Sequence, residues 1–100
     1  MVYKKQRGTI VVKLTGELDH MNAERIRPQL DELISDPKIS RLVLDLNELS
    51  FMDSSGIGMI IGRYKLMSRR GGQVAVRCEN RRIDKIFEMA GLYQIIEKLA

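Results

Sequence analysis

Arg41-Leu42-Val43-Leu44-Asp45-Leu46, then Asn47-Glu48-Leu49-Ser50-Phe51-Met52, then Asp53-Ser54-Ser55-Gly56 and the run from Ile57 to Met67 change hydrophobic period once, and that change decides the fold. The first six residues form a compact apolar run, the kind a strand shows when it is buried on both faces. Residues 47–52 read as a short connection. Beyond Asp53, the residues Ile57, Ile60, Ile61, Tyr64 and Met67 recur at three and four, the stripe of an amphipathic helix, which Gly71-Gly72 ends. A buried strand therefore feeds a helix, and the junction carries two adjacent serines.

Working outward, Val74-Ala75-Val76 reads as another strand. Ile83, Ile86, Phe87 and Ala90 mark a third helix, with Gly91 placed as its left-handed terminating residue, and Tyr93 to Ile96 read as a last strand. Toward the N-terminus, Ala23, Ile26, Leu30, Leu33 and Ile34 give a further helical stripe that Asp36-Pro37 stops. Pro28 removes one backbone donor inside that helix and predicts a kink or a late start. Gly16-Glu17-Leu18-Asp19-His20 reads as a polar loop. Ahead of it, Ile10, Val12 and Leu14 alternate as a strand over residues 9–14, turned at Gly8 onto a short strand from Val2 to Lys5. The order strand, strand, helix, strand, helix, strand, helix, strand predicts a single α/β domain. Its sheet is mixed and mostly parallel, with an antiparallel pair at the start and about three α-helices.

Composition narrows the function classes. At 100 residues, 44% hydrophobic and 30% charged, the chain fits one soluble globular domain. One cysteine, Cys78, precludes an intrachain disulfide, and with a single histidine it argues against a metal site; no metal or cofactor is expected, and Cys78 is expected to be buried. The charged N-terminal residues lead into too short an apolar run for a targeting signal, and no stretch approaches the roughly 20 apolar residues of a membrane span, so a cytoplasmic setting without membrane contact is expected. The formal charge of +4 is dispersed, with pairs at Arg69-Arg70 and Arg81-Arg82, and none of the three Tyr and two Phe is interleaved with a basic run. That is a solvated face rather than a nucleic-acid surface.

Asp53-Ser54-Ser55-Gly56 lies at a strand-to-helix edge, where α/β sheets tend to meet ligands and partners. Asp and Ser are favoured helix N-caps, which alone accounts for their presence. Two small hydroxyls at the positive end of a helix are also well placed to carry a phosphate, which such an end tolerates without unfolding. A nucleophile elbow is absent, since Met52 and Asp53 stand where Gly-x-Ser-x-Gly needs glycine, and His20 is the one candidate base for a serine hydrolase. Gly56, Gly58 and Gly62 match neither a P-loop nor a dinucleotide fingerprint. Glycines cost up to about 1 kcal/mol each in a helix, so they read as sites of close approach to the sheet or to a partner. Glu17, Asp19 and Asp53 make a candidate acidic rim.

Phe51-Met52-Asp53-Ser54-Ser55-Gly56-Ile57-Gly58, continued by Gly62-Arg63-Tyr64-Lys65, closely resembles the anti-sigma antagonist branch of the STAS family, named for sulfate transporters and anti-sigma antagonists. Gly16 to His20 matches a second signature of that family and Ile86 to Leu92 a third, so the resemblance runs from about Thr9 to Ile96. It implies a non-enzymatic, cytoplasmic phosphoprotein of transcription regulation that works by partner switching. The unphosphorylated form binds an anti-sigma factor, itself a serine kinase in its nucleotide-bound state, and frees the sigma factor. Phosphorylation at Ser54 ends binding, and a serine phosphatase restores it. The resemblance further implies partner contacts at Glu17, Asp19, Asp53, Ser55 and Gly56. The Gly62-Arg63-Tyr64-Lys65 continuation points to the sporulation type rather than the stress-response type. Family members usually continue into a further C-terminal helix, so a STAS domain over residues 1–100 is expected to lack it and to leave apolar sheet surface exposed.

Overall fold

Alternation carries the first long strand further than its polar residues suggest. In the computed structural model, which describes residues 1–99, β1 (Val2–Gln6) turns at Arg7-Gly8 into β2 (Thr9–Leu18). The chain continues through α1 (His20–Ile34), β3 (Arg41–Met52), α2 (Ser54–Arg69), β4 (Gln73–Arg77), α3 (Arg81–Met89), a 3₁₀ turn at Leu92–Gln94 and β5 (Glu97–Leu99). The strands lie side by side in sequence order in one sheet; β1 runs antiparallel to β2, and every later neighbour is parallel. The expected α/β architecture, mixed sheet and helix number are all present.

Consecutive parallel strands joined by right-handed crossovers place their helices on one face. Accordingly Ile10, Val12 and Leu14 of β2, Leu42, Leu44 and Leu46 of β3, and Val74 and Val76 of β4 pack with Leu30, Ile60 and Phe87 of the three helices in one core. On the opposite face Val11, Val43 and Ala75 form a row in register, and Val43 and Ala75 are buried there as well. Ion pairs bracket that row: Lys13 Nζ to Glu48 at 2.7 Å and Arg41 to Glu97 at 3.2 Å. The long stems of such side chains cover apolar surface while their charges stay in water.

Three expectations are corrected and a fourth, at Pro28, is narrowed. Gly16 to Leu18 is strand, not loop: β2 bulges between Lys13 and Thr15 and again between Gly16 and Glu17, with Gly16 at φ +79°, and then buries Leu18. Residues 47–52 are strand as well, because the extended β2 supplies a pairing partner up to Leu18 opposite Met52. The last strand is Glu97–Leu99 rather than Tyr93 to Ile96, since Gly91 at φ +73° starts a 3₁₀ turn that the Ile95 N–H closes onto the Leu92 carbonyl at 3.1 Å, with the Ile96 N–H donating to the same carbonyl at 2.9 Å. Pro28 causes no late start; α1 runs unbroken from His20 to Ile34 with the exposed proline inside it.

The buried side of α2 is also broader than its isoleucine stripe. Gly56, Met59, Ile60, Arg63 and Met67 are buried while Ile57, Ile61 and Tyr64 are half-buried, because α2 packs against both the sheet and α1. At the far end of these helices the Arg70 guanidinium donates to the carbonyls of Ile34, Asp36 and Ile39, satisfying the open C-terminus of α1. Cys78 is buried, and burial pushes its thiol pKa up.

Candidate functional site

The register between β2 and β3 sets the site. Leu18 lies opposite Met52, so Asp19 and Asp53 leave adjacent parallel strands at the same edge of the sheet. Each is extended and each caps a helix. Asp19 Oδ1 accepts the Asn22 N–H at 2.9 Å; Asp53 Oδ1 accepts those of Ser55 at 2.9 Å and Gly56 at 3.3 Å. Two helix N-termini, with their unpaired N–H groups and positive ends, thus stand side by side.

The sequence-derived residues separate on this scaffold. Ser54 is exposed in the first turn of α2, and its hydroxyl bonds to no described residue. Ser55 is half-buried and turned toward α1, with Oγ 3.3 Å from Nδ1 of His20. Glu17 is exposed at the rim opposite Phe51 in register. Asp19 and Asp53 are half-buried, each with one carboxylate oxygen committed to its cap. Gly56 is buried: a Cβ there would stand 2.7 Å from the Leu18 carbonyl oxygen and 2.8 Å from Met52 Cγ. Its role is to let α2 sit down on the strand ends beneath the exposed serine.

Gly58 and Gly62 behave oppositely. A Cβ at either meets nothing within 4 Å, so close packing on the sheet does not explain them. With Ser54 they stand at i, i+4 and i+8, one open strip along α2 in which Ser54 and Gly58 are exposed and Gly62 is half-buried, Gly58 also lining the groove toward α1. Exposed Met21 in the first turn of α1 and exposed Phe51 at the end of β3 add apolar surface on the same edge.

Three features were not apparent from the sequence. The His20–Ser55 contact joins residues 35 apart in the chain. Met21 and Phe51 are exposed although both are apolar. Arg63, only 8% exposed, reaches from α2 to α1, with Nε 2.9 Å from Asp31 Oδ1; the N–H does not point along that line, and Nη1 has no partner among the described residues. Burial lowers the Arg63 pKa, and the Asp31 charge opposes that shift. The signal for it was available: Arg63 falls between Ile60 and Met67 on the buried side of α2, and Asp31 follows Leu30 on α1.

Among the described residues, no group of three or more His, Cys, Asp or Glu side chains is gathered as a metal site, and no helix is long and apolar enough to cross a membrane. The model of the STAS domain matches residues 1–100. An anti-sigma F factor antagonist of Paenibacillus polymyxa is 44% identical over 90 residues, covering 90% of this chain and 77% of that protein. An anti-sigma-B factor antagonist of Bacillus subtilis (strain 168) is 30% identical over 94 residues, covering 94% of this chain and 84% of that one. The solved structure of the anti-sigma factor antagonist SpoIIAA in its unphosphorylated form superposes with a TM-score of 0.84 at 29% identity, covering 99% of this chain and 87% of that one.

Proposed function

The chain belongs to the STAS domain family, and on that premise we propose that it is an anti-sigma factor antagonist switched by a phosphate on Ser54. Its unphosphorylated form binds an anti-sigma factor and so releases a sigma factor. The observation that carries the switch is the placement of Ser54: an exposed, unengaged hydroxyl in the first turn of a helix already capped by Asp53. A phosphate there adds about −1.5 to −2 charges and meets a positive helix end, so the fold tolerates it. The same charge enters an edge that already holds Glu17, Asp19 and Asp53, and a partner docked on that edge meets like charge and a desolvation cost of several kcal/mol.

The partner is a serine kinase in its nucleotide-bound form, and a serine phosphatase resets the switch in the cytoplasm. Glu17, Asp19, Asp53 and Ser55 belong to the contact edge, Gly56 supports it from below, and the open strip at Gly58 and Gly62 extends it along α2. The higher identity to the anti-sigma F antagonist, 44% against 30% for the anti-sigma-B antagonist, supports the sporulation type. The test is to incubate the chain with ATP and the anti-sigma F factor that the Paenibacillus polymyxa relative opposes, then map phosphate by peptide mass. One phosphate on Ser54, absent from Ser54→Ala, is expected; an equally phosphorylated Ser54→Ala sinks the assignment.

One observation favours a second reading, a serine hydrolase: His20 stands at hydrogen-bond distance from Ser55. No described side chain bonds the other ring nitrogen, so the orienting group of a triad is missing. Covalent labelling of Ser55 by a fluorophosphonate would revive that reading, and an unlabelled intact mass ends it.

A further inference from the structure

We infer that His20 is a positioning residue that reserves the Ser55 hydroxyl and so leaves Ser54 as the single phosphate acceptor. The inference rests on the phospho-switch reading above and explains a choice that reading leaves open, namely which of two adjacent serines is used.

The two hydroxyls differ in what holds them. Ser54 is exposed and its Oγ bonds to no described residue, whereas Ser55 is half-buried and lines the groove between α1 and α2 with His20, Ala23, Gly58 and Arg63. His20 Nδ1 lies 3.3 Å from Ser55 Oγ. The contact is set from both sides: the Leu18–Met52 register brings the strand ends together, and the Asp19 and Asp53 caps orient the first turns from which His20 and Ser55 project. The other charged groups lining the groove are Glu24 and Arg27 of α1, which pair with each other at 3.2 Å, and Arg63 of α2, which is turned to Asp31.

Phosphoryl transfer forms a bond between the serine Oγ and the γ-phosphorus of ATP. The bond from that phosphorus to the β–γ bridging oxygen breaks, ADP leaves, and the hydroxyl proton passes to a base of the kinase. The acceptor must therefore turn its oxygen out to a partner's active site. Ser54 does so as it stands. Ser55 must first give up the imidazole and leave the groove, losing about one hydrogen bond, which corresponds to roughly threefold to tenfold in relative use. The opposite role for the same contact, with the imidazole activating Ser55 as a base, predicts the opposite outcome.

The experiment uses the full chain, ATP and the anti-sigma F factor named above, with peptide mapping of wild type, His20→Ala and His20→Asn. Phosphate confined to Ser54 in wild type, a Ser55 share raised about threefold to tenfold in His20→Ala, and its return toward wild type in His20→Asn, whose amide can rebond Ser55, are expected. An unchanged distribution in His20→Ala overturns the inference, as does wild-type phosphate on Ser55 that His20→Ala removes. A second arm needs no kinase: His20 is the one histidine in the chain, so its ¹⁵N imidazole spectrum reports a single ring. Ser55→Ala should shift the Nδ1 resonance and Ser54→Ala should not; no shift with Ser55→Ala contradicts the contact. Absence of phosphate from both serines in wild type would overturn the switch reading and the selection with it, whereas Ser54 phosphorylation indifferent to His20 would overturn the selection alone.

Discussion

The first turns of α1 and α2 start alike and finish differently. Both follow a parallel strand, both are capped by an extended aspartate, and they lie side by side through the Leu18–Met52 register. Three residues past the cap, however, α1 has Asn22, half-buried and bonded through its side chain to the Glu17 carbonyl and the Arg25 guanidinium. At the equivalent place α2 has Gly56, with no room for a Cβ. One start is held by adjustable side chains and the other by helix backbone pressed on the Leu18 carbonyl and the Met52 and Leu18 side chains. The rigid start is the one that presents Ser54. The proposed phosphate switch at Ser54 would change charge on a closely packed surface, and its expected readout is binding rather than folding.

Substitutions at the two helix starts test that contrast. Ser54→Glu places a permanent charge on the rigid start and should weaken anti-sigma factor binding by about 3 kcal/mol, roughly a hundredfold by calorimetry, with the melting temperature nearly unchanged. Gly56→Ala forces the Leu18 carbonyl or Met52 to move and should destabilise the fold by about 1–3 kcal/mol in urea unfolding, whereas Asn22→Ala on the adjustable start should cost less. Asp53→Ala and Asp19→Ala each remove a cap and should cost about 1 kcal/mol, or about 4–8 °C in melting temperature. Gly58→Ala has the opposite sign: it meets open space and should stabilise the helix by up to about 1 kcal/mol while weakening the partner that uses the strip.

The smallest effect lies away from both helix starts and serves as a control. Lys98 at 2.7 Å and the Tyr93 hydroxyl at 2.5 Å hold the Asp84 carboxyl below the ordinary carboxylate range. A folded-state pKa below the unfolded one means the contribution is present above about pH 4 and is lost as pH falls through the depressed value. Asp84→Asn should flatten that acid limb of the melting curve and leave partner binding untouched. Burial and the bond to Asp84 raise the Tyr93 pKa, so the tyrosine stays neutral throughout this range.

Much of this was legible in the sequence, and the gaps have a common cause. The strips at Ala23 to Ile34, Ile57 to Met67 and Ile83 to Phe87 announce helices because apolar spacing reports burial against a sheet directly. Gly91 announces a left-handed terminus because few other residues accept φ +73°. The strand ends were harder. Thr15-Gly16-Glu17 and Asn47-Glu48 look like loops because their polarity reflects a sheet edge open to water, and only their mutual pairing makes them strand. The site divides in the same way. Ser54 and the capping role of Asp53 follow from local chemistry, whereas the Arg63–Asp31 and His20–Ser55 contacts join residues 32 and 35 apart and exist through register alone. Gly56 and Gly58 are indistinguishable as letters; the space above each tells the buried support from the open surface.

The most direct test of the central claim compares unphosphorylated and Ser54-phosphorylated protein in one set of samples, measuring affinity for the anti-sigma factor by calorimetry and stability by thermal melting. The account predicts that phosphate weakens binding by about a hundredfold or more while the melting temperature moves by no more than about 4–8 °C, the equivalent of about 1 kcal/mol. Equal affinities for the two forms, or a loss of affinity that tracks unfolding of the phosphorylated chain, would contradict it.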